Sequence, residues 1–267
     1  MTIDTLNQEF ENNLAQLKSY LLRITASVPD AEDIAQDTYI KALDKLSTFR
    51  GESSLKTWFF KIASNLAKDN LRAKKRWPEN VTDIAREAAK SNHRFFEEAM
   101  HIRTTSPQGQ FEAKEHIVFC FACISKSLPL EQQLGIFLKE VYEFKVSEIA
   151  TILDTTEAMV KYYLHTGRSK MIGIFDGRCA LINKKGVCHQ CSELNAVFNP
   201  KQNTQEELMK MELVKAAEKG DKEHLFELRT KLLREIDPFN SPASELQLHH
   251  LEHNRLVMEK YKEKKAD

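Results

Sequence analysis

Residues 31–46 read AEDIAQDTYIKALDKL, and the spacing of their small and apolar positions decides how the chain folds. Ala31, Ile34, Ala35, Thr38, Ala42 and Leu46 recur every three or four residues, which puts them on one buried face of an α-helix. The opposite face carries Asp33, Gln36, Asp37, Ile40 and Asp44, so it offers acidic groups around one apolar side chain. A face that only meets solvent has the same pattern.

Helical signals continue in both directions from this stretch. Residues 47–54 read STFRGESS, a short loop in which Gly51 permits a backbone turn and Ser53 or Ser54 can cap the following helix. In that helix Leu55, Phe59, Ile62, Ala63 and Leu66 are expected on the core side. Trp58, Lys61, Asn65, Lys68 and Arg72 form a second stripe that combines an aromatic ring, an amide and three cations. The helix is expected to end by Trp77-Pro78, because a residue before proline is pushed away from helical geometry. Residues 79–110 are polar and less regular, and TTSPQG at 104–109 reads as a linker.

A second helical unit begins near Phe111, with Ile117, Phe121, Ile124 and Leu128 as its first core stripe. Cys120 and Cys123 belong to the apolar run FCFAC and are read as core residues. Glu148–Leu153 is a short helix with Ile149, Ala150, Ile152 and Leu153 inward. Asp154-Thr155-Thr156 is a turn, and a longer helix follows from Glu157 to Met171. Two helices joined by about three residues, with Ala150 and Val160 at their crossing, match the pattern of a helix-turn-helix. Thr156 suits the N-cap of the second helix. Its outward residues Glu157, Lys161, Tyr162, His165 and Arg168 can reach phosphates or base edges in a major groove. Any helical hairpin in a bundle can share this spacing.

Composition agrees with an all-helical chain of several small domains: 267 residues, 42% hydrophobic, 29% charged, with only 8 Gly and 7 Pro. The net formal charge of zero hides an acidic cluster at Asp30, Glu32, Asp33 and Asp37. It also hides a basic one at Lys68, Arg72, Lys74, Lys75 and Arg76. Two surfaces of opposite sign suggest two partners. No window is apolar enough to span a membrane, the N-terminus lacks the pattern of a secretion signal, and a cytoplasmic location is expected. An odd number of cysteines, five, favours free thiols or metal ligands over a disulfide framework.

Several of these segments resemble the extracytoplasmic-function class of bacterial sigma factors. Residues 31–38 (AEDIAQDT), 57–65 (TWFFKIASN) and 69–72 (DNLR) are similar to its conserved region 2. Leu128-Pro129, Glu148-Ile149-Ala150, Val160-Lys161 and Leu164-His165 are similar to region 4. The resemblance implies an all-α chain with region 2 at residues 1–78, a linker at 79–111, region 4 at 112–176, and a helical C-terminal extension at 177–267. It implies that core RNA polymerase docks on Asp33, Gln36, Asp37 and Ile40. Arg50, Ser53, Trp58, Lys61, Asn65, Lys68 and Arg72 would meet the minus-10 element as it melts, with Asn65 as the polar anchor for an extruded base. Thr156, Glu157, Lys161, Tyr162, His165 and Arg168 would read the minus-35 duplex. The partners implied are core polymerase, promoter DNA and a candidate anti-sigma factor. The chain departs from the family at Tyr163 and Thr166, where arginines are usual, and at Gly167, where alanine is usual. Glycine inside a helix costs about 1 kcal/mol relative to alanine, and lost cations weaken phosphate contacts.

The extension contains CALINKKGVCHQC at 179–191. Cys188 and Cys191 have the two-residue spacing that lets two thiolates hold one tetrahedral ion, with Cys179 and His189 as further ligands, and zinc is the cofactor such a set favours. A redox-sensitive thiol pair and inert thiols are the alternatives. Lys201–Arg234 and Ser244–Tyr261 read as charged amphipathic helices, and His249, His250 and His253 as a solvated cluster. The extension is expected to act as a regulatory cap on region 2 or region 4. Other functional classes remain: a free-standing helix-turn-helix regulator, or a metal or thiol sensor on a sigma-like scaffold. An enzyme is disfavoured, because no nucleophile, base and orienting acid converge in the motifs and no glycine-rich phosphate loop occurs.

Overall fold

The computed structural model describes residues 2–74, scattered positions between 78 and 101, and residues 120–178, 220–235, 237–239 and 245–263. The described residues are helices and their connections, with no strand among them. They divide into two compact units. The first comprises Met1–Arg76, Pro129–Gly167 and Asp237–Pro242; the second comprises Trp77–Leu128, Arg168–Ile236 and Ala243–Asp267.

Three helices, α1 (Ile3–Thr25), α2 (Val28–Asp44) and α3 (Leu55–Ala73), pack pairwise in the first unit. Each starts at a hydroxyl cap: the side chains of Thr2, Ser27 and Ser54 accept from the backbone N–H of Thr5, Asp30 and Thr57. Ala26, in the left-handed region at φ 56°, ends α1 and donates its N–H to Leu22 O at 2.8 Å. The buried face of α2 is Ala31, Ile34, Ala35, Thr38 and Ala42, whose small side chains let its neighbours come close. A 3-10 turn at Leu46–Thr48 and Gly51 at φ 73° carry the chain into α3.

The buried arc of α3 is rotated from the expected one. Thr57, Phe59, Phe60, Ala63, Ser64, Ala67 and Leu71 are buried, whereas Leu55, Ile62 and Leu66 are half-buried. The cause is a second layer in the same unit: α3 is packed on one side by α1 and α2 and on another by the short helix α5 (Val146–Leu153). Between them, α4 (Leu130–Glu140) contacts both α5 and α1. Tyr20 and Ser64 share a buried hydrogen bond of 2.9 Å between α1 and α3. Burial pushes the Tyr20 phenol up in pKa, so it stays protonated.

Helix α6 (Glu157–Arg178) starts at Thr156, whose hydroxyl accepts the Met159 N–H at 3.2 Å. Gly167, which propensity marks as a liability, has a tertiary reason. A Cβ at that position would lie 3.1 Å from Ile136 Cγ1 and 3.6 Å from Gln132 Cβ, so glycine lets α6 cross α4 closely. Gly135 on α4 faces Tyr163 Cβ at 3.8 Å from its own would-be Cβ. Tyr163 is therefore half-buried at the crossing.

In the second unit, α7 (Lys222–Glu235) buries Leu225, Phe226, Leu228 and Leu233. Phe121 stacks with Phe175 at 6.0 Å and with Phe226 at 5.5 Å, and the Arg229 guanidinium lies 3.9 Å over the Phe175 ring. Cys120 is buried and Cys123 half-buried in the same helical segment. On α8 (Glu245–Glu263), His253 is buried with its ring 4.1 Å from Phe95. This corrects the expected solvated histidine cluster for His253: an aromatic partner from a segment more than a hundred residues away draws it inward.

The α4–α6 crossing makes a test. Gly167→Val should destabilise the chain by about 1–3 kcal/mol through overpacking, whereas Gly167→Ala should cost under about 1 kcal/mol, because gained helix propensity offsets the squeeze on Ile136. Urea unfolding of both variants reads the difference.

Candidate nucleic-acid interface

Helical phase leaves Asp33, Gln36, Asp37 and Ile40 of α2 exposed together, with Ile40 47% exposed. Two neighbouring acids are already engaged inside the chain: Asp30 pairs with Lys74, and Glu32 with Lys18 at 2.8 Å. The acidic face that remains is accordingly narrower than the cluster in the sequence.

On α3, Trp58 is half-buried and stacks on Phe49 at 4.8 Å, so the loop 47–54 is held against the helix by an aromatic pair. Trp58 also lies 6.1 Å from Phe59, so one flank of the indole packs while the rest stays partly exposed. Arg50, Asn65 and Arg72 are exposed, Ser53 is half-buried, and Arg72 pairs with Asp69 at 3.6 Å. Lys61 and Lys68 are half-buried on α3, against which α5 packs. Lys61 Nζ is 3.4 Å from Asp154 Oδ1. Burial pushes the Lys68 ammonium down in pKa, while the charges of Glu131 and Asp154 act the other way. Lys56 is likewise pushed down by burial, opposed by Glu148 and Glu143, and sits 5.0 Å over the Phe144 ring.

The turn between α5 and α6 has Asp154 at φ 56°, a left-handed conformation that aspartate tolerates. Thr155 donates its N–H to Ala150 O at 3.0 Å, closing the end of α5. Ile149, Ile152, Leu153, Val160 and Leu164 are buried where the two helices meet. Thr156, Glu157, Lys161, Tyr162 and His165 are exposed along one side of α6, with Tyr162 at 55%. Arg168 is half-buried. Tyr163 and Thr166 are half-buried too, so the two positions that lack the family's usual arginines are not on the open face.

Sequence reasoning missed the groups of the later segment that face α3. Thr57 donates its hydroxyl to Glu148 Oε1 at 3.2 Å, and Glu148 Oε2 also accepts the Lys145 N–H at 2.8 Å, capping α5. Tyr142 packs edge-on to Tyr20 at 5.5 Å and donates its hydroxyl to Ser19 Oγ at 3.0 Å, and Phe144 meets Phe60 at 4.9 Å. No local pattern flags contacts between residues 91 positions apart. Among the described residues, no three His, Cys, Asp or Glu side chains are grouped to hold a metal ion. Cys179, Cys188, His189 and Cys191 lie outside the described residues. No helix among the described residues is long and apolar enough to cross a membrane.

The sigma-70 region 2 family profile matches residues 10–77, and the sigma-70 region 4 profile matches residues 119–171. The ECF RNA polymerase sigma-E factor of Haemophilus influenzae is 30% identical over 164 residues, spanning 61% of this chain and 82% of the relative. The chain belongs to the extracytoplasmic-function sigma factors. The sigma factor SigG of Mycobacterium tuberculosis is 27% identical over 166 residues, which span 58% of this chain and 45% of SigG. A solved structure of the sigma factor RpoE in complex with the anti-sigma factor NepR from Bartonella quintana aligns at TM-score 0.45. It is 20% identical and covers 64% of this chain and 96% of that one.

Glu148 has two jobs in the first unit, as cap of α5 and as acceptor for Thr57. Glu148→Ala should therefore cost about 1–3 kcal/mol of stability, well beyond an exposed acid, and Thr57→Val should recover part of that loss in the double variant. Chemical denaturation of the four proteins measures the coupling.

Proposed function

We propose that this chain binds core RNA polymerase through the exposed α2 face at Asp33, Gln36, Asp37 and Ile40, and confers promoter choice on it through two DNA-reading surfaces. As a sigma factor it is a transcription initiation factor that directs promoter-specific initiation, and it is not an enzyme. The observation that carries the reading is the ordered pair of family regions, region 2 at residues 10–77 followed by region 4 at 119–171.

Acidic groups around the apolar Ile40 suit a helix-on-helix contact in which charge sets register and an apolar centre supplies contact area. Region 2, taken as residues 1–78, would use Arg50, Ser53, Trp58, Lys61, Asn65, Lys68 and Arg72 to take up the minus-10 strand. Cations hold the backbone, Trp58 offers a stacking surface, and Asn65 can bond a base edge, which offsets the unpairing cost of a few kcal/mol. Region 4, taken as 112–176 after a linker at 79–111, would place α6 in the minus-35 major groove. Lys161 and Arg168 would position the backbone there, and Tyr162 and His165 would lie toward base edges. An anti-sigma factor is a further proposed partner. The cytoplasm, where polymerase and chromosome meet, is the proposed location. For the extension at 177–267 we propose a tetrahedral zinc site from Cys179, Cys188, His189 and Cys191, on ligand type and CxxC spacing alone.

Run-off transcription with purified core polymerase on a genomic promoter pool tests this directly. Specific transcripts should appear only with the chain present. Ile40→Asp should weaken core binding about tenfold or more, since a charge would be buried at the contact centre. Asn65→Ala should lower open-complex formation without lowering core binding. Absence of both core binding and specific initiation would overturn the reading.

A further inference from the structure

Acids of the segment 131–154 face residues of α3 that the proposed function assigns to promoter DNA. Lys61 is paired with Asp154, Lys68 lies under the charges of Glu131 and Asp154, Thr57 is bonded to Glu148, and Lys56 is flanked by Glu148 and Glu143. Two of these contacts are direct, Asp154 with Lys61 at 3.4 Å and Glu148 with Thr57 at 3.2 Å, and the charges of Glu131 and Glu143 act on Lys68 and Lys56 from further off. Lys61 and Lys68 are two of the cations assigned above to the minus-10 strand. Both cannot be satisfied at once: a phosphate backbone approaching these lysines has to displace the carboxylates.

What holds the acids there is an aromatic seam closed by a turn of the C-terminal extension. Tyr142 sits against Tyr20 and Phe60, at 5.5 and 5.8 Å, and Phe144 against Phe60 at 4.9 Å. At the α1 edge of the seam, Asp237–Phe239 belongs to the same compact unit. Asp237 Oδ1 accepts the Phe239 N–H at 3.0 Å, which makes a tight Asx-type turn before the proline-containing segment ends. The Lys18 ammonium lies 4.6 Å from the centre of the Phe239 ring, one residue from Ser19, the acceptor of the Tyr142 hydroxyl. Burial pushes that phenol up in pKa; Arg23 opposes the rise by charge and hydrogen bond, and the like charge of Asp237 adds to it. The extension therefore reaches the residues that fasten the acidic segment to region 2.

We propose that the chain occludes its own minus-10 surface, with the acids of 131–154 standing in for promoter phosphates and the Asp237–Phe239 turn acting as the latch. The inference rests on the assignment of the α3 stripe to minus-10 DNA. In the free protein the closed state reduces the fraction competent for promoter melting, and apparent affinity falls by that fraction. Core polymerase and promoter together have to open the seam. A signal that acts on the extension acts on the latch without touching a DNA-reading residue.

The test uses the full-length chain with Phe239→Ala, which removes the ring over Lys18, and Asp154→Asn, which removes the charge opposite Lys61 while keeping a residue that tolerates the left-handed turn. Arg255→Ala, on the exposed side of α8, is the control. Two readouts are taken: the chain concentration at half-maximal run-off transcription with core polymerase, and acylation of Lys61 by an amine-reactive reagent without polymerase. The latch variant Phe239→Ala and the occluding-acid variant Asp154→Asn should each lower the half-saturating concentration about threefold to tenfold at an unchanged plateau, as loss of a contact of this kind allows. Lys61 acylation should rise by a similar factor, and Arg255→Ala should match the parent chain. Unchanged half-saturation and unchanged Lys61 reactivity in Phe239→Ala and Asp154→Asn would overturn the proposal. Faster acylation with no transcription from the parent chain would support the latch and instead refute the assignment of the sigma surfaces.

Discussion

Tyr142 and Phe144 reach from the turn after α4 to the rings of Tyr20 and Phe60, and the first unit depends on that junction. It brings a segment from the region 4 match against two helices of the region 2 match. Phe60 and Tyr20 are fully buried, and an aromatic ring taken out of water contributes about 1.5–3 kcal/mol, with about 0.5–1.5 kcal/mol more for each well-oriented ring pair. The polar contacts around the seam are individually smaller. They set which side chains align: Glu148 with Thr57, Asp154 with Lys61, Tyr142 with Ser19. An apolar centre with a charged rim is the usual division of labour at an interface between separable segments.

The crossing of α4 and α6 in the same unit explains features that looked like defects. Gly167 costs helix propensity, yet the missing Cβ spares Ile136 on α4 a tight contact of 3.1 Å at the crossing. Tyr163 and Thr166 replace cations expected by family resemblance, but both are half-buried beside that crossing rather than on the open face. The recognition helix thereby gives its inner side to packing and keeps Lys161, Tyr162 and His165 outward. Half-burial of Lys61 and Lys68 goes with the packing of α5 on α3, on a stripe that the sequence pattern leaves open.

Much of this was legible locally. The hydroxyl caps at Ser54 and Thr156, the buried face of α2, and the three-residue turn before Glu157 all depend on neighbours within one or two helical turns, and a linear pattern carries that information. The phase of α3 was only partly legible, because an amphipathic pattern presumes one buried side and α3 has two. Contacts that close over long separations left no trace in spacing: Glu148 with Thr57, Phe144 with Phe60, Phe95 with His253. His253 shows the consequence. It lies between Glu252 and Asn254 in the sequence, and its burial beside the Phe95 ring comes from a segment far away along the chain. The candidate DNA surface was legible as a set of residue types on helix faces, whereas the acids that shield part of it were not.

A double-mutant cycle between Phe60 and Phe144 tests the junction most directly. Phe60→Leu and Phe144→Leu keep apolar volume while removing the ring pair, and equilibrium unfolding of the parent, the two single variants and the double variant gives their coupling. The account predicts a coupling of about 0.5–1.5 kcal/mol. Additive losses, with no coupling beyond error, would mean that the two family regions do not pack through this seam.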